Sequence, residues 1–413
     1  MAKNKTIVMK FGGSSVANTE KIDNVCNKII YAKKNVGNVV VTVSAMGKTT
    51  DQLIELARSV TSSGSRREMD VLLSTGEQVS IAMLALALHE RGYESISFTG
   101  IQAGILTDSV HSEAKIIKIN ASRIVKELKD DKIVIVAGFQ GIDKEGNITT
   151  LGRGGSDTTA VAVAAALHAD YCEIYTDVDG VYTTDPNIDA NAKKIERLSY
   201  DEMLELASSG AKVLHLRAVE FAKKYDVVIN LRSSFNENEG TWIMDDINDK
   251  EKMEKPVVTG VTHDNNQIKV TVFGLKDIPG IASKLFGLLA GQDINVDLIV
   301  QNVSEENIAT ISFTIKGEDL DITEKTLERL KENIDYSKID IDEEVAKVSI
   351  IGSGMQSHPG VASKMFKILA DTGINIEMIS TSPIRISCII RKSKIKNAVK
   401  VLHKGFVTET DNI

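Results

Sequence analysis

The chain has 413 residues, including 49 Lys+Arg and 57 Asp+Glu, and this length predicts two or three domains rather than one core. Its 42% hydrophobic and 26% charged residues are typical of a globular protein, and the net charge of −8 argues against a nucleic-acid-binding protein. Three widely spaced cysteines predict free thiols, and no apolar run is long enough for a membrane span or a signal peptide, so we expect a cytoplasmic protein without a membrane partner.

From residue 1 to about 235, short β-branched runs alternate with helical stretches. Strands of this kind predict a mostly parallel central sheet with helices on both faces, which is a three-layer α/β domain. Ligands of such sheets bind at the carboxyl ends of the strands. The predicted strands are 6–11, 38–44, 132–139, 172–178 and 227–234, and the predicted helices are 18–35, 50–62, 77–91, 111–129, 157–169, 199–208 and 215–225.

The remaining sequence contains an internal repeat. Residues 279–299 align without gaps on 359–379, with 11 of 21 positions identical, which indicates two copies of one unit. Each copy has a strand, a Pro-Gly turn, a helix, two strands and a second helix, but only the first has a clear last strand. The strand before the first copy is therefore predicted to complete the second. The expected domains are 1–235, a charged linker at 236–256, a first repeat at 263–343, and a second repeat formed by 257–262 plus 344–413.

A Gly-Gly pair follows the first predicted strand in KFGGSS, residues 10–15. Glycines at this place allow backbone N–H groups to approach an anion, and Lys10 adds a positive charge. The alternative is a tight strand-to-helix turn with an exposed lysine. Ser44 and Thr50 follow the second strand and suit hydrogen bonds to a small polar substrate, or capping of the next helix.

The segment LGRGGSD, residues 151–157, is more specific. Three glycines around Arg153 lead into Ser156 and Asp157 at a helix start, which is typical of an anion site with an arginine that can bind a carboxylate. Either polar residue could instead be an N-cap, although a cap requires no arginine. Ser74-x-x-Glu77 fits a capping box, which explains Glu77 without a substrate.

Two further motifs suit a nucleotide. YTDVDGVYTTDP, residues 175–186, places Thr176, Asp177 and Tyr182 after another strand, where they fit a nucleotide site or an ordinary loop. Lys212 in GAKVLH fits phosphate binding or a solvated helix start.

In this order, KFGGSS, VSAMGKTTD, STGE, TTLGRGGSDTTA, YTDVDGVYTTDP and GAKVLH resemble the aspartate kinases of the amino-acid kinase family, and the two repeats resemble ferredoxin-like (βαββαβ) ACT domains. The resemblance implies ATP-dependent phosphorylation of the side-chain carboxylate of L-aspartate to 4-phospho-L-aspartate. This is the first step towards lysine, threonine and methionine. It further implies Mg²⁺ held mainly through the ATP phosphates, with no metal ligands from the protein.

The family also implies roles for individual residues. Lys10 is expected to contact the transferring phosphate, and Asp157 is expected to orient Lys10 and other groups of the site. The expected ATP-binding residues are Lys10, Phe11, Gly12, Gly13, Ser14, Thr176, Asp177, Tyr182, Lys212 and Val213. The expected aspartate-binding residues are Ser44, Thr50, Glu77, Arg153 and Ser156, with Arg153 on the α-carboxylate and Glu77 on the ammonium.

ACT domains of this family imply a homodimer or a dimer of dimers and an inhibitory amino acid bound at the ACT interface. Asp297 favours lysine over threonine, because its carboxylate could pair with a second ammonium group. The expected effector-binding residues are Ile278, Ile281, Ala282, Asn295, Val296 and Asp297.

The family pattern is not complete, because Asn187 stands where an arginine that can touch ATP is common. Two alternatives stay open at this stage. One is another amino-acid kinase, acting on glutamate, acetylglutamate, carbamate or a nucleoside monophosphate. The other is a non-catalytic amino-acid sensor, which the presence of Lys10, Arg153 and Asp157 disfavours.

Overall fold

The structure of the chain is a computed structural model that consists of two units. The first unit comprises Met1–Val181, Lys194–Ala207 and Lys212–Asp249, and the second comprises Tyr182–Lys193, Ser208–Ala211 and Lys250–Ile413. Two short segments expected in the first domain thus belong to the second unit. Much of the predicted linker lies outside the described residues, which are 5–61, 63–211, 213–245, 257–304, 307–332 and 334–408.

The first unit is an α/β domain. Its strands are β1 (Lys5–Phe11), β2 (Gly37–Val43), β3 (Ser95–Phe98), β4 (Ile105–Thr107), β5 (Ile116–Ile119), β6 (Ile133–Ala137), β7 (Gln140–Ile142), β8 (Ile148–Thr150), β9 (Tyr171–Thr176), β10 (Arg197–Leu198), β11 (Ile229–Ser233) and β12 (Thr241–Ile243). Its helices are α1 (Thr19–Asn35), α2 (Thr49–Val60), α3 (Arg66–Glu90), α4 (Ser122–Lys129), α5 (Gly155–Leu167), α6 (Tyr200–Ser208) and α7 (Leu216–Tyr225).

The central sheet has the strand order β10-β12-β11-β9-β1-β2-β6-β3, and its neighbours are parallel except β11 and β12. Alternate residues of β1 pack on opposite sides. Ile7, Met9 and Phe11 join a core with α1 and α3, whereas Lys10 faces α5. Helices thus cover both faces, and the predicted three-layer α/β fold with a mostly parallel sheet is confirmed.

Two predicted helices of this unit have different bounds in the structure. The helix predicted at 77–91 begins at Arg66, because Ser74 and Thr75 donate their hydroxyl hydrogens to carbonyls three residues earlier and do not interrupt it. The helix predicted at 111–129 is only α4, preceded by β5. This short strand belongs to a second sheet, of order β5-β4-β7-β8, whose strands of three or four residues are too brief to show a sequence period.

Helix α3 is long and apolar enough to cross a membrane by length and composition, and in the described residues it is the only such helix. Half of its most apolar stretch is buried inside the domain, and it contains the buried carboxylates of Asp70 and Glu77. These properties are those of a core helix.

The second unit contains both repeats in one antiparallel sheet, of order β14-β15-β13-β16-β18-β17. The two central strands are long and are shared by both repeats. Residues 260–264 of β13 pair with 347–351 of β16, and residues 269–273 of β13 pair with 338–342 of β16. The elements are β13 (Gly260–Lys276), α8 (Ile281–Ala290), β14 (Ile299–Val303), β15 (Ile308–Ile315), α9 (Leu320–Glu328), β16 (Lys338–Ile351), α10 (Val361–Asp371), β17 (Met378–Ser382), β18 (Arg385–Arg391) and α11 (Ile395–His403).

Equivalent ion pairs cross between the two repeats. Lys347, on the first strand of the second repeat, binds Asp297 of the first repeat, and Lys269, on the first strand of the first repeat, binds Glu377 of the second. The side chain of Lys347 is fully buried, whereas that of Asp297 is 25% exposed. Burial lowers the pKa of Lys347, and the negative charge of Asp297 opposes this shift.

The unequal burial predicts unequal effects of removing either partner. Asp297→Ala should lower the free energy of unfolding by about 3–5 kcal/mol, because it removes the ion-pair partner of a buried ammonium. Lys347→Met should cost clearly less, because the remaining carboxylate reaches water and Met fills the space of the lysine stem. Denaturant unfolding of the full chain measures both values.

Lys338→Met is the control, since Lys338 pairs with Asp340 at the surface and its side chain is 66% exposed. Its loss should change the free energy of unfolding by less than about 1 kcal/mol. Equal costs for Asp297→Ala and Lys347→Met would contradict the burial argument.

Candidate active site

Lys10 and Asp157 form an ion pair at the carboxyl end of β1. The distance from Nζ to Oδ1 is 2.6 Å, and both side chains are at least 85% buried. Lys10 is the last residue but one of β1, and Asp157 lies in the first turn of α5. The pair stands at the edge of the sheet where parallel α/β proteins bind ligands.

Close packing requires a glycine at position 13, the second of the two glycines after β1. A Cβ atom on Gly13 would lie 2.7 Å from the carbonyl oxygen of Ala45, and Gly47 donates its N–H to the Gly13 carbonyl at 3.0 Å. A Cβ on Gly12 would lie 3.4 Å from Nζ of Lys10. The loops after β1 and β2 are thus in direct contact, with backbone rather than side chains beside the lysine.

The neighbours of this glycine pair differ in accessibility. Ser14 is exposed, whereas Phe11 is fully buried and stacks on Tyr175 with 4.6 Å between ring centroids. The side chain of Phe11 therefore belongs to the core, which leaves only its backbone for a ligand. The Phe11 carbonyl already accepts the N–H of Ser44, which is half-buried at the end of β2.

Glu77 is buried in the middle of α3, with 3% exposure. Its Oε1 accepts the N–H of Ala45 at 3.1 Å, and its Oε2 is buried with no hydrogen-bond partner among the described residues. Burial raises the pKa of Glu77 to about 7. Because α3 begins at Arg66, the capping-box interpretation is wrong, and a buried carboxylate oxygen without a donor is suited to a cationic ligand.

The loop around Arg153 needs its glycines for two reasons. Gly152 and Gly154 have φ of 73° and 67°, in the left-handed region that glycine tolerates best. A Cβ on Gly154 would also lie 2.0 Å from Cγ of His215. Arg153 is exposed between them, so its guanidinium faces solvent at the site.

The polar residues after this loop are not helix caps. The N-cap of α5 is Gly154, and Ser156 and Asp157 lie within the first turn. Ser156 is 8% exposed and packs closely against Gly138, where a Cβ would lie 2.7 Å away. The N-cap alternative is therefore wrong for both residues. Thr50, in the first turn of α2, is half-buried.

The expected nucleotide residues are only partly described. Thr176 ends β9 and donates its hydroxyl hydrogen to the carboxylate of Asp177, which is exposed. Tyr182 belongs to the second unit, and Val213 is half-buried. Lys212 lies outside the described residues. Asn187 forms a turn with Asp185, whose carboxylate accepts both its backbone N–H and its side-chain amide.

Two residues that contact the loop around Arg153 were not predicted from the sequence. His215 packs on Gly154, and burial lowers its pKa, which favours a neutral imidazole. Arg217 donates hydrogen bonds to the carbonyls of Leu151 and Ala114 and thereby holds the start of the loop around Arg153 in place. Both lie at the start of α7, and only their position beside the GAKVLH motif could have indicated them.

The expected effector residues surround the start of α8 and the following strand. Gly280 and the equivalent Gly360 begin α8 and α10 with φ of 95° and 96°, so the turn is the same in both repeats. Ile278, Ala282, Asn295 and Val296 are at least partly exposed, whereas Ile281 is 7% exposed and packs in the core.

Asp297 has a partner that the sequence did not indicate. Its Oδ2 binds the buried ammonium of Lys347, while its side chain remains 25% exposed. The preference for lysine over threonine, which the sequence analysis based on Asp297, stays a prediction. Sequence order could not reveal a partner that lies 50 residues away on another strand.

In the described part of the chain, no three His, Cys, Asp or Glu residues are grouped closely enough to hold a metal ion. Its three cysteines are buried and free. The geometry thus consists of one lysine–aspartate pair, two glycine loops, an exposed arginine and a buried glutamate with an unused oxygen.

The sequence profile of the amino acid kinase family matches residues 5–232, and ACT-domain profiles match 269–335 and 348–406. An aspartokinase of Bacillus sp. strain MGA3 is 52% identical over 400 residues, which cover 97% of each chain. The chain belongs to the aspartokinase family. The predicted family, fold class and enzyme class are confirmed, and the chain is an aspartate kinase with two ACT domains.

Solved aspartokinase structures share the fold. E. coli aspartokinase III in complex with aspartate and ADP (R-state) superposes with a TM-score of 0.82 at 26% identity, covering 97% of this chain and 99% of that one. The same enzyme in complex with lysine and aspartate (T-state) superposes with a TM-score of 0.76, with the same identity and coverage.

The raised pKa of Glu77 predicts a pH-dependent aspartate KM. Only the ionised carboxylate attracts an ammonium group, and with a pKa of about 7 it is lost as the pH falls. The aspartate KM should therefore rise about tenfold between pH 8 and pH 6. In Glu77→Gln the KM should be high and independent of pH, and a pH slope that persists in this variant would reject the assignment.

Lys10→Ala should lower kcat by about 10²-fold or more while the chain stays folded, because the lost charge acts mainly in the transition state. Lys33→Ala is the matched control. Lys33 has a similarly buried side chain and a 2.7 Å ion pair with Asp131, but it lies at the end of α1, next to the amino end of β2. Similar losses of kcat in both variants would contradict a catalytic role for Lys10.

Proposed function

We propose that this aspartokinase transfers the γ-phosphoryl group of ATP to the side-chain carboxylate of L-aspartate and forms 4-phospho-L-aspartate. This reaction would be the first step towards lysine, threonine and methionine. The observation that carries the proposal is the Lys10–Asp157 pair at the carboxyl end of β1, beside the backbone of two glycines. The complex of the E. coli relative with aspartate and ADP supports both ligands.

The chemistry requires positioning more than proton transfer. A carboxylate acceptor is ionised at neutral pH, so no general base is needed. The ammonium of Lys10, held by Asp157, would neutralise charge that develops on the transferring phosphoryl group. The N–H groups of Gly12 and Gly13 would add hydrogen bonds to the same phosphoryl group.

Aspartate would be held by its two non-reacting groups. Arg153 would bind the α-carboxylate, and Glu77 would bind the ammonium through its unused oxygen. Ser44, Thr50 and Ser156 would complete this polar site. The residues proposed to contact ATP are Lys10, Phe11, Gly12, Gly13, Ser14, Thr176, Asp177, Tyr182, Lys212 and Val213, with Phe11 acting only through its backbone.

Mg²⁺ would be held mainly through the ATP phosphates. When bound, it would reduce the negative charge of the phosphates. The protein residues would then orient the two substrates towards each other.

Feedback inhibition by an end-product amino acid is the second part of the proposal, with lysine favoured and threonine possible. The lysine complex of the E. coli relative supports lysine, as does the partly exposed carboxylate of Asp297. The turn at Gly280 opens a helix whose N–H groups suit an α-carboxylate, and the exposed side chain of Asn295 can accept an ammonium hydrogen.

A cytoplasmic homodimer or dimer of dimers, joined through the ACT domains, completes the proposal. The two edge strands of the ACT sheet carry exposed apolar side chains, namely Ile299 and Val303 on β14 and Ile379 on β17. Ile299 and Ile379 are equivalent in the repeat. Exposed apolar edges of this kind favour pairing with a second chain. The interleaved division, in which residues 257–262 belong to the second ACT domain, is proposed on the pairing of β13 with β16.

A hydroxamate assay with ATP and a substrate panel tests the reaction. We expect product with L-aspartate and at least about 10²-fold less with glutamate, because a longer side chain moves the acceptor away from the phosphoryl group. N-acetylglutamate should be inactive, since it has no ammonium for Glu77. Turnover of glutamate or N-acetylglutamate comparable to that of aspartate would overturn the proposal.

Inhibition is tested in the same assay with lysine, threonine and methionine, singly and in pairs. Asn295→Ala should raise the lysine concentration for half-inhibition by about tenfold, as expected for one lost hydrogen bond to a charged group. Asn375→Ala, at the equivalent position of the second repeat, is the matched control and should change it less. Inhibition by threonine alone would change the effector, and equal effects of the two variants would reject the site.

A further inference from the structure

A buried carboxylate on α3 binds the strand that leads into the loop around Arg153, residues 151–154, which we call the arginine loop. Asp70 is fully buried and lies seven residues before Glu77, on the same face of the helix. We propose that Asp70 and Thr150 are positioning residues that fix Arg153 relative to Glu77 and thereby set the affinity for aspartate. This inference rests on the proposed function of Arg153 and Glu77.

The carboxylate of Asp70 joins three separate segments. The hydroxyl of Thr150 donates to Oδ1 at 2.6 Å, and the N–H of Ser112 lies 3.1 and 3.0 Å from the two oxygens. Nδ1 of His111 lies 2.8 Å from Oδ2. Buried carboxylates require such partners, but these partners come from strand β8 and from the segment between β4 and β5 rather than from the same helix.

Thr150 connects the carboxylate of Asp70 to the backbone that enters the arginine loop. It is the last residue of β8, and its carbonyl accepts the N–H of Ala114 at 2.9 Å. The next residue, Leu151, donates its N–H to the Phe139 carbonyl at 2.8 Å and accepts from Arg217. The backbone is thus held on both sides until Gly152, where it turns towards Arg153.

The same helix anchors the opposite side of the site. Glu77 accepts the N–H of Ala45 at the end of β2, and between the two carboxylates the Ser74 carbonyl accepts the amide of Gln140 at 2.8 Å. Helix α3 therefore sets the separation between the arginine loop and the glutamate. The α-carboxylate and ammonium of aspartate share one carbon atom, so a small change of this separation weakens binding of both.

A neighbouring threonine provides a matched control. Thr149 is also buried on β8, and its hydroxyl lies 2.6 Å from that of Thr107, on the other face of the strand. Thr150→Val and Thr149→Val each remove one buried hydroxyl of the same strand at the same bond length. Both should lower stability, but only the first should loosen the arginine loop.

We expect Thr150→Val to raise the aspartate KM about tenfold, with kcat and the ATP KM changed less than about twofold, since the binding energy lost is that of non-reacting groups. Thr150→Ser, which keeps the hydroxyl, should restore the KM. Asp70→Asn is the second variant if Thr150→Val does not fold. Its amide keeps the shape but presents N–H to one of the donors, so the same rise of KM is expected.

The aspartate KM values of these variants test the positioning role of Thr150. A similar aspartate KM for the Thr150→Val and Thr149→Val enzymes, whether raised or unchanged, would overturn the positioning role. Arg153→Ala is measured in parallel. If it raises the KM while Thr150→Val does not, the positioning role fails and the proposed site stands, whereas an unchanged KM in Arg153→Ala rejects both.

Discussion

Ala45 is packed between two glycines that leave no space for a side chain on either one. Its carbonyl lies against Gly13, and its Cβ lies where a Cβ of Gly76 would be only 2.8 Å away. Its N–H binds the carboxylate of Glu77. This one residue therefore joins the loop that follows Lys10 to the helix that carries Glu77. Lys10 and Glu77 therefore keep a fixed separation, because these contacts leave no space between the loop and the helix.

The site concentrates groups that are costly for the fold. Burial destabilises the ionised form of Glu77. The cost to the free energy of unfolding is therefore largest above the pKa of Glu77, where the carboxylate is charged and could attract a cationic substrate. The glycines of the arginine loop have left-handed backbone that most residues avoid. Such local costs are tolerated where the surrounding contacts determine the conformation, as Arg217 does for Leu151.

The strands and loops that could be predicted were those with a recognisable pattern in a short stretch of sequence. Buried β-branched runs identified five central strands, and the glycine motifs identified the loops that approach Lys10. The start of α3 was missed because Ser74, Thr75 and Gly76 are typical of a helix start. In the structure the hydroxyls of Ser74 and Thr75 donate to carbonyls of the same helix, and Gly76 allows close approach to Ala45. The partners of Asp70, and Lys347 as the partner of Asp297, were missed because they lie 41 or more residues away, and no local pattern encodes such contacts.

The exchange of ion pairs between the repeats restricts how this regulatory unit can evolve. Lys269 and Lys347 each depend on a carboxylate supplied by the other copy, and both copies share β13 and β16. After the duplication, a change at one of these four charged positions altered the environment of the other repeat. The two copies therefore diverge as a coupled pair, and neither can be deleted or transplanted alone without leaving a lysine that has lost its counter-charge.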